Sequence, residues 1–246
     1  MTIPSPISPL YVFWVSNLSH IPFCPKRSKI ETFLNPEVVE TNQKRHPIRT
    51  GNILHWQYSY PYKQFDRVLC RSRLMALVGS KTTFEKTTFW KQVDNIQVRG
   101  RLDDLRILRT LQGKFSSLIE IKTTYKKYLW SREIQAAVIQ LQIYMWILKD
   151  LLILAKYPLW IRSYVEVYSQ NTGYLMRRIP VTYNDQIEDW IRRALRIYQG
   201  LERMTPPPFS YCHLCPKPVK ELCDWYPLML EDKRSDKCVS SPRLLL

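Results

Sequence analysis

Ser117-Leu-Ile-Glu-Ile-Lys-Thr123 is the stretch on which the fold turns. It is short, apolar and β-branched, yet it carries Glu120 and Lys122 in its middle. Residues two apart in a strand project from the same face, so Glu120 and Lys122 point together while Leu118, Ile119 and Ile121 bury their surroundings. A carboxylate in an apolar strand is costly to bury unless it meets a cation or a paired charge. The strand therefore predicts either a salt bridge or a metal site.

Upstream, Val98-Arg-Gly-Arg-Leu-Asp-Asp-Leu-Arg-Ile-Leu108 alternates in places around Gly100, as a bent strand does. Gln112-Gly113-Lys114 is a turn signal, so Val98–Leu108 and Ser117–Thr123 are predicted to form a hairpin. Asp103 then supplies a second carboxylate beside Glu120, and Asp104 is an adjacent one. Two carboxylates with water suit Mg²⁺ or Mn²⁺, which prefer hard oxygen ligands. Such a cation neutralises charge on a phosphodiester and lowers the pKa of an attacking water, and a neighbouring lysine stabilises the transition state. Downstream, Glu133–Ala155 has helical periodicity without proline and places Gln140 and Tyr144 on one face. Together an amide and a phenol can hold a phosphate or a nucleotide edge. Upstream again, His55 in Gly51-Asn-Ile-Leu-His55 is a further candidate metal ligand.

Trp160–Tyr168 and Tyr174–Val181 are expected as strands around the Asn171-Thr172-Gly173 turn. A second long helix is expected over Tyr183–Met204, started by Thr182 or Asn184 and stopped at Pro206-Pro207-Pro208. Short strands are expected at Arg67–Leu69 and Leu74–Val78, and Ser16 as the cap of a short helix running toward Cys24. The order strand, strand, helix, strand, strand, helix is that of a mixed α/β core.

His55, Asp103, Glu120, Lys122, Gln140 and Tyr144 follow one another as G-x-x-x-H, G-x-x-D, E-x-K and Q-x-x-x-Y. That order resembles the RecB-like branch of the PD-(D/E)XK nucleases. The resemblance implies a restriction-endonuclease-like core, a mixed central sheet flanked by helices. In such a core His55, Asp103 and Glu120 tend the metal, Lys122 serves catalysis, and Gln140 and Tyr144 act near the substrate. The family spacing favours Asp103 over Asp104.

The six cysteines are unevenly spread. Cys212, Cys215 and Cys223 lie close together, Cys24 lies far upstream, and Cys70 and Cys238 lack ligand spacing and read as structural or incidental. Four thiolates suit zinc or an iron–sulfur cluster equally on spacing alone, and His213 offers a zinc alternative. One cysteine before the nuclease motifs and three after them look like the CRISPR-associated "Cas-four" family. The resemblance implies a 4Fe–4S cluster on Cys24, Cys212, Cys215 and Cys223 that clasps the two chain ends. The seven residues between Cys215 and Cys223 exceed the commoner spacing and leave the fourth ligand open.

Charge points the same way. Of 246 residues, 37 are Lys or Arg against 21 acidic ones, a net charge of +16 that favours a polyanionic partner. The N-terminus lacks the charged region of a secretory signal, and Lys149 and Asp150 interrupt the most apolar stretch, Leu141–Ala155. A cytoplasmic protein without a membrane partner is expected. The predicted organisation is an N-terminal segment over 1–50, a nuclease core over 51–205, a cysteine cluster over 206–230 and a frayed tail over 231–246.

The expected function is a metal-dependent exonuclease on single-stranded DNA, or DNA with single-stranded ends. The resemblance implies 5′→3′ polarity and a role with CRISPR integration proteins or in DNA repair. Lys122-Thr-Thr-Tyr-Lys-Lys-Tyr128 and nearby Trp130 are the expected substrate-contacting segment, since ring stacking with basic residues suits single strands. Two alternatives stand beside it: a DNA-end-binding factor with little catalysis, and a zinc-bound DNA-binding regulator. The latter gives no reason for the glutamate–lysine pair.

Overall fold

The computed structural model describes residues 11–33, 65–125, 131–160, 162–202, 215 and 217–223. By internal packing the chain divides into two units, one of residues 1–15 with 46–188 and one of 16–45 with 189–246.

The first unit holds two sheets. In the four-stranded sheet the order is β4-β5-β6-β7, with β4 Asp104–Thr110, β5 Gly113–Thr124, β6 Arg162–Ser169 and β7 Leu175–Thr182. β4 and β5 form the expected hairpin, with Thr110 opposite Gly113. Gly113 has φ +133°, which a side chain would disfavour. β5 then pairs in parallel with β6, and β6 pairs antiparallel with β7, so the sheet is mixed. A parallel pair needs a long crossover. Here it is α4, Ser131–Leu154, matching the expected helix closely. Its length and composition would suffice to cross a membrane over Arg132–Leu154, but most of that stretch is buried inside the structure as a core helix is. Leu141, Ile143, Met145, Trp146 and Leu148 are all within 1% of full burial.

The smaller sheet has the order β1-β3-β2, from β1 Tyr11–Trp14, β2 Phe89–Val93 and β3 Ile96–Gly100. Its inner face is Phe13, Phe89 and Val98, all buried. The sequence predicts one bent strand over Val98–Leu108, whereas the chain makes two. β3 ends at Gly100 and β4 begins at Asp104, in different sheets. The break is hidden in the sequence because Leu102, inside it, is as buried as a strand residue.

A second correction concerns residues 66–78. The expected short strands are one helix, α3, Phe65–Leu77. Its buried residues are Asp66, Arg67, Cys70, Arg71 and Leu74, a helical spacing of three and four. Three of those five are charged, so apolar residues do not mark the inner face. Ion pairs make the burial possible: Arg67 and Arg71 both meet the fully buried Asp104, and Asp66 meets Lys114 and Arg109.

α1 Val15–His20 lies where the short helix toward Cys24 is expected, but it begins at Val15, so Ser16 is inside it rather than its cap; in the second unit α2 Pro25–Phe33 follows it. α2 lies in a stretch whose polarity conceals it. Proline is well placed at a first helical position, where no N–H is needed. α5 Ile187–Gln199 starts later than the expected helix, with the Asn184 side chain accepting from the Gln186 N–H at 3.0 Å. A short α6, Lys217–Leu222, packs against α2.

Candidate active site

β5 runs through the centre of its sheet, between β4 and β6, and fixes which side chains face which way. Ile119 and Ile121 point to one face, where they pack with Tyr164 and Tyr168. Glu120 and Lys122 point to the other, toward α4. The Lys122 Nζ donates to Glu120 Oε1 at 2.7 Å and to Gln140 Oε1 at 2.8 Å. Strand and helix thus hold one ammonium between a carboxylate and an amide. Glu120 and Gln140 are buried and Lys122 is partly exposed.

Asp103 stands in the bend before β4. Its Oδ2 accepts the backbone N–H of Ile121 at 2.7 Å. β4 itself pairs with β5 only as far as Asp104 opposite Ile119. The Asp103 carboxylate therefore takes the next acceptor position along the ladder, which pins it beside Glu120. Asp104, one residue on, faces the other side of the sheet among Arg67, Arg71 and Arg106. The structure thus separates two adjacent aspartates at the point where the bend gives way to β4.

Tyr144 supports the bend. Its hydroxyl donates to the carbonyl of Arg101 at 2.7 Å. A Cβ on Gly100 would come within 2.6 Å of the Tyr144 ring and 2.7 Å of Val15. The glycine of G-x-x-D is thus a close-approach glycine that lets the tyrosine reach the backbone leading to Asp103. The sequence offers the motif but not this contact. Tyr144 is buried, so its place is beneath the site.

The electrostatics agree with this convergence. Burial opposes the charge on Lys122, but Glu120 and then Asp103 outweigh it and hold the amine above its ordinary range. Burial, followed by the same two carboxylates, raises the Tyr144 phenol well above its usual value. Lys122 is therefore a fixed cation at neutral pH and Tyr144 a fixed neutral donor. Two carboxylates acting on the same neighbours form an oxygen-rich point, the donor chemistry a hard divalent cation requires. Among the described residues no three His, Cys, Asp or Glu side chains stand together in metal-binding geometry. His55, the expected third ligand, lies outside the described residues, as do Tyr128 and Trp130. Tyr125 is described and is partly exposed, at 39%.

A family model for the PD-(D/E)XK nuclease superfamily matches residues 18–224, most of the chain. The chain belongs to the PD-(D/E)XK nuclease superfamily. Members of this superfamily are typically nucleases that use divalent metals such as Mg²⁺ or Mn²⁺. The mixed α/β arrangement of this nuclease chain is consistent with that fold. Among solved structures, that of SSO0001 aligns with a TM-score of 0.53 at 16% identity and covers 89% of each chain, a likeness of fold. Rai1 of Scheffersomyces stipitis, in complex with (3'-NADP)+ and calcium ion, aligns at a TM-score of 0.27 and 12% identity over 79% of this chain and 60% of its own, too low to carry weight. No curated protein matches the sequence at a comparable level.

Of the described cysteines, Cys24, Cys215 and Cys223 fall in the second unit of the nuclease chain. Cys24 precedes α2 directly, and its buried sulfur accepts the backbone N–H of Arg27 at 3.3 Å, in the manner of a helix cap. Cys215 is raised above its ordinary thiol pKa by burial, against Arg27 and with help from Glu31 and Cys223. Cys215 is thus within electrostatic reach of both α2 and Cys223. Cys212 and Cys238 lie outside the described residues. Cys70 is a separate matter: it lies on the buried face of α3, 3.7 Å from the Ser116 hydroxyl, and burial pushes its thiol up to about 11.

Proposed function

We propose that the chain is a metal-dependent exonuclease that degrades single-stranded DNA, with 5′→3′ polarity, and carries a 4Fe–4S cluster on Cys24, Cys212, Cys215 and Cys223. The observation that carries the nuclease reading is the single point at which Asp103, Glu120, Lys122 and Gln140 meet. A salt bridge alone would explain Glu120 with Lys122. It would not explain a second carboxylate pinned beside them by the Ile121 N–H, nor a tyrosine spent on bracing the bend that carries it.

Asp103 and Glu120, with His55, are the residues that would hold a divalent cation, which supplies charge neutralisation and a more acidic water. The rest falls to the chain. Lys122 presents its ammonium where negative charge develops on phosphate, and its tether to Gln140 keeps that position before substrate arrives. Burial of Glu120 and Gln140 lowers the local dielectric and strengthens the interaction. The reading extends to a cytoplasmic role in CRISPR spacer acquisition or DNA repair, supported by the resemblance of the cysteine arrangement and by the net charge of +16.

The test uses purified protein and end-labelled single strands with Mg²⁺ or Mn²⁺. Lys122→Ala and Glu120→Ala should each lower the cleavage rate by at least about 100-fold, the scale of losing one electrostatic stabiliser, and EDTA should abolish it. Circular dichroism and melting establish that the variants fold. Wild-type cleavage by folded Lys122→Ala, or full turnover in metal-free buffer, rejects the assignment. The label's end reports polarity directly.

A further inference from the structure

The small β1-β3-β2 sheet has an outer face that the catalytic site does not use. Trp14, Arg99 and Trp90 are direct register partners across its three strands, so they form one row on one face. The opposite face is the buried one, Phe13, Val98 and Phe89. Trp14 and Trp90 are 38% and 50% exposed. Two large aromatics left in water on one row, with a cation between them, are an arrangement that folding alone does not favour.

The row is also prepared. Arg99 donates its Nε to the Gln97 side chain, which fixes the guanidinium on the face. The Arg101 guanidinium sits 5.9 Å from the centre of the Trp14 ring. The strand residues of this face, Val12, Trp14, Trp90, Gln92, Gln97 and Arg99, include no carboxylate. From Arg99 the chain runs through Gly100 and Arg101 to Asp103, four residues that span at most about 14 Å even when extended. Row and carboxylate are thus two ends of one short segment.

We propose that this face is a stacking platform for single-stranded DNA, on which bases lie against Trp14 and Trp90 while Arg99 and Arg101 meet the phosphates of the strand entering the Asp103–Glu120–Lys122 site. The proposal rests on the nuclease reading and adds the path of the substrate to it. Every base has a face that can stack, so the platform tolerates any sequence. A second copy of the chain fits poorly, because each carries a net +16 and the face brings no acid of its own.

Binding of a labelled oligothymidylate to the full chain in EDTA, followed by anisotropy, tests this without turnover. Trp14→Leu and Trp90→Leu should each weaken binding about 5-fold or more, the effect of losing one stacked base, while Trp→Phe at either position keeps most of the affinity. Arg99→Gln should lower the slope of log Kd against log salt by about 0.7, one phosphate contact on a single strand. Wild-type affinity in the folded double Leu variant overturns the platform. If the Leu variants do not fold, photo-cross-linking of a bromodeoxyuridine strand to the wild-type chain decides. Adducts on Trp14 or Trp90 support the platform, and adducts confined to other peptides overturn it. The nuclease reading fails separately: tryptophan-dependent binding without cleavage in Mg²⁺ or Mn²⁺ keeps the platform and removes the catalysis, whereas cleavage without tryptophan dependence does the reverse.

Discussion

Asp103 and Asp104 are chemically identical neighbours with opposite surroundings. Asp103 is tied to a backbone N–H and aimed at Glu120 and Lys122, while Asp104 is fully buried with Arg67 and Arg71. Asparagine at 103 keeps an oxygen for the Ile121 N–H but loses the charge, so Asp103→Asn should leave melting nearly unchanged while removing cleavage. Asparagine at 104 removes the buried anion that Arg67 and Arg71 share, although Arg71 keeps Glu85 at 3.3 Å, a loss of about 3–5 kcal/mol by comparison with other broken buried pairs. Asp104→Asn should therefore melt early, and its folded fraction should still cleave. Parallel melting curves and cleavage rates of the two variants check this, and a stability loss at 103 with none at 104 would reverse the assignment. The pairing of Glu120 with Lys122 is legible from strand parity alone. The choice between the two aspartates is not, because it depends on where β4 begins, and the alternation runs through the break without a mark.

At the scale of elements, hydropathy succeeds where the buried face is apolar and fails where it is ionic. α4, β5, β6 and β7 lie close to their expected ranges because their interiors are Leu, Ile, Val and Trp. α3 is misread because Asp66, Arg67 and Arg71 are its inner face. The same ionic layer continues across the sheet. Arg106 reaches Asp104 at 3.4 Å and both oxygens of Glu166 at 2.7 Å, and Glu166 also accepts from Arg178 and from the Tyr168 hydroxyl. Burial works against the Glu166 charge, but the Arg106 and Tyr168 hydrogen bonds outweigh it and hold the carboxyl below its ordinary 4.5. A carboxyl lowered on folding adds stability above the unfolded value, and that stability is lost as pH falls through the folded value. The gap in melting temperature between wild type and Glu166→Gln should therefore be wide at neutral pH and narrow as pH falls below the ordinary 4.5 and through the lowered folded value. A gap independent of pH would mean that the Glu166 charge contributes nothing to folding.

For the whole molecule, the second unit draws together residues 16–45 and 189–246, two stretches separated by most of the chain. Cys24 belongs to the first of these, and Cys212, Cys215 and Cys223 to the second. If one metal centre takes all four, it closes a loop that contains every candidate catalytic residue. Constraining so long a loop removes unfolded-state entropy worth on the order of 4–5 kcal/mol on the disulfide scale, independent of any chemistry at the active site. The metal's role is then stability, and its loss should show in melting before it shows in cleavage. Cys24→Ser and Cys212→Ser should each lower melting temperature and soluble yield and lose the same visible chromophore. Metal activation by Mg²⁺ or Mn²⁺ in the remaining folded fraction should stay as it is in the wild type. Iron and sulfide content separate a cluster from zinc, which leaves the protein colourless. Cys70→Ser serves as the reference, since Cys70 lies beside Ser116 in the other unit and should leave iron content untouched. A Cys24→Ser protein with full iron content and unchanged melting would remove the N-terminal cysteine from the ligand set. The covalent link between the two stretches would go with it, leaving contacts such as the packing of α6 on α2 and Lys29 over the Tyr198 ring to join them.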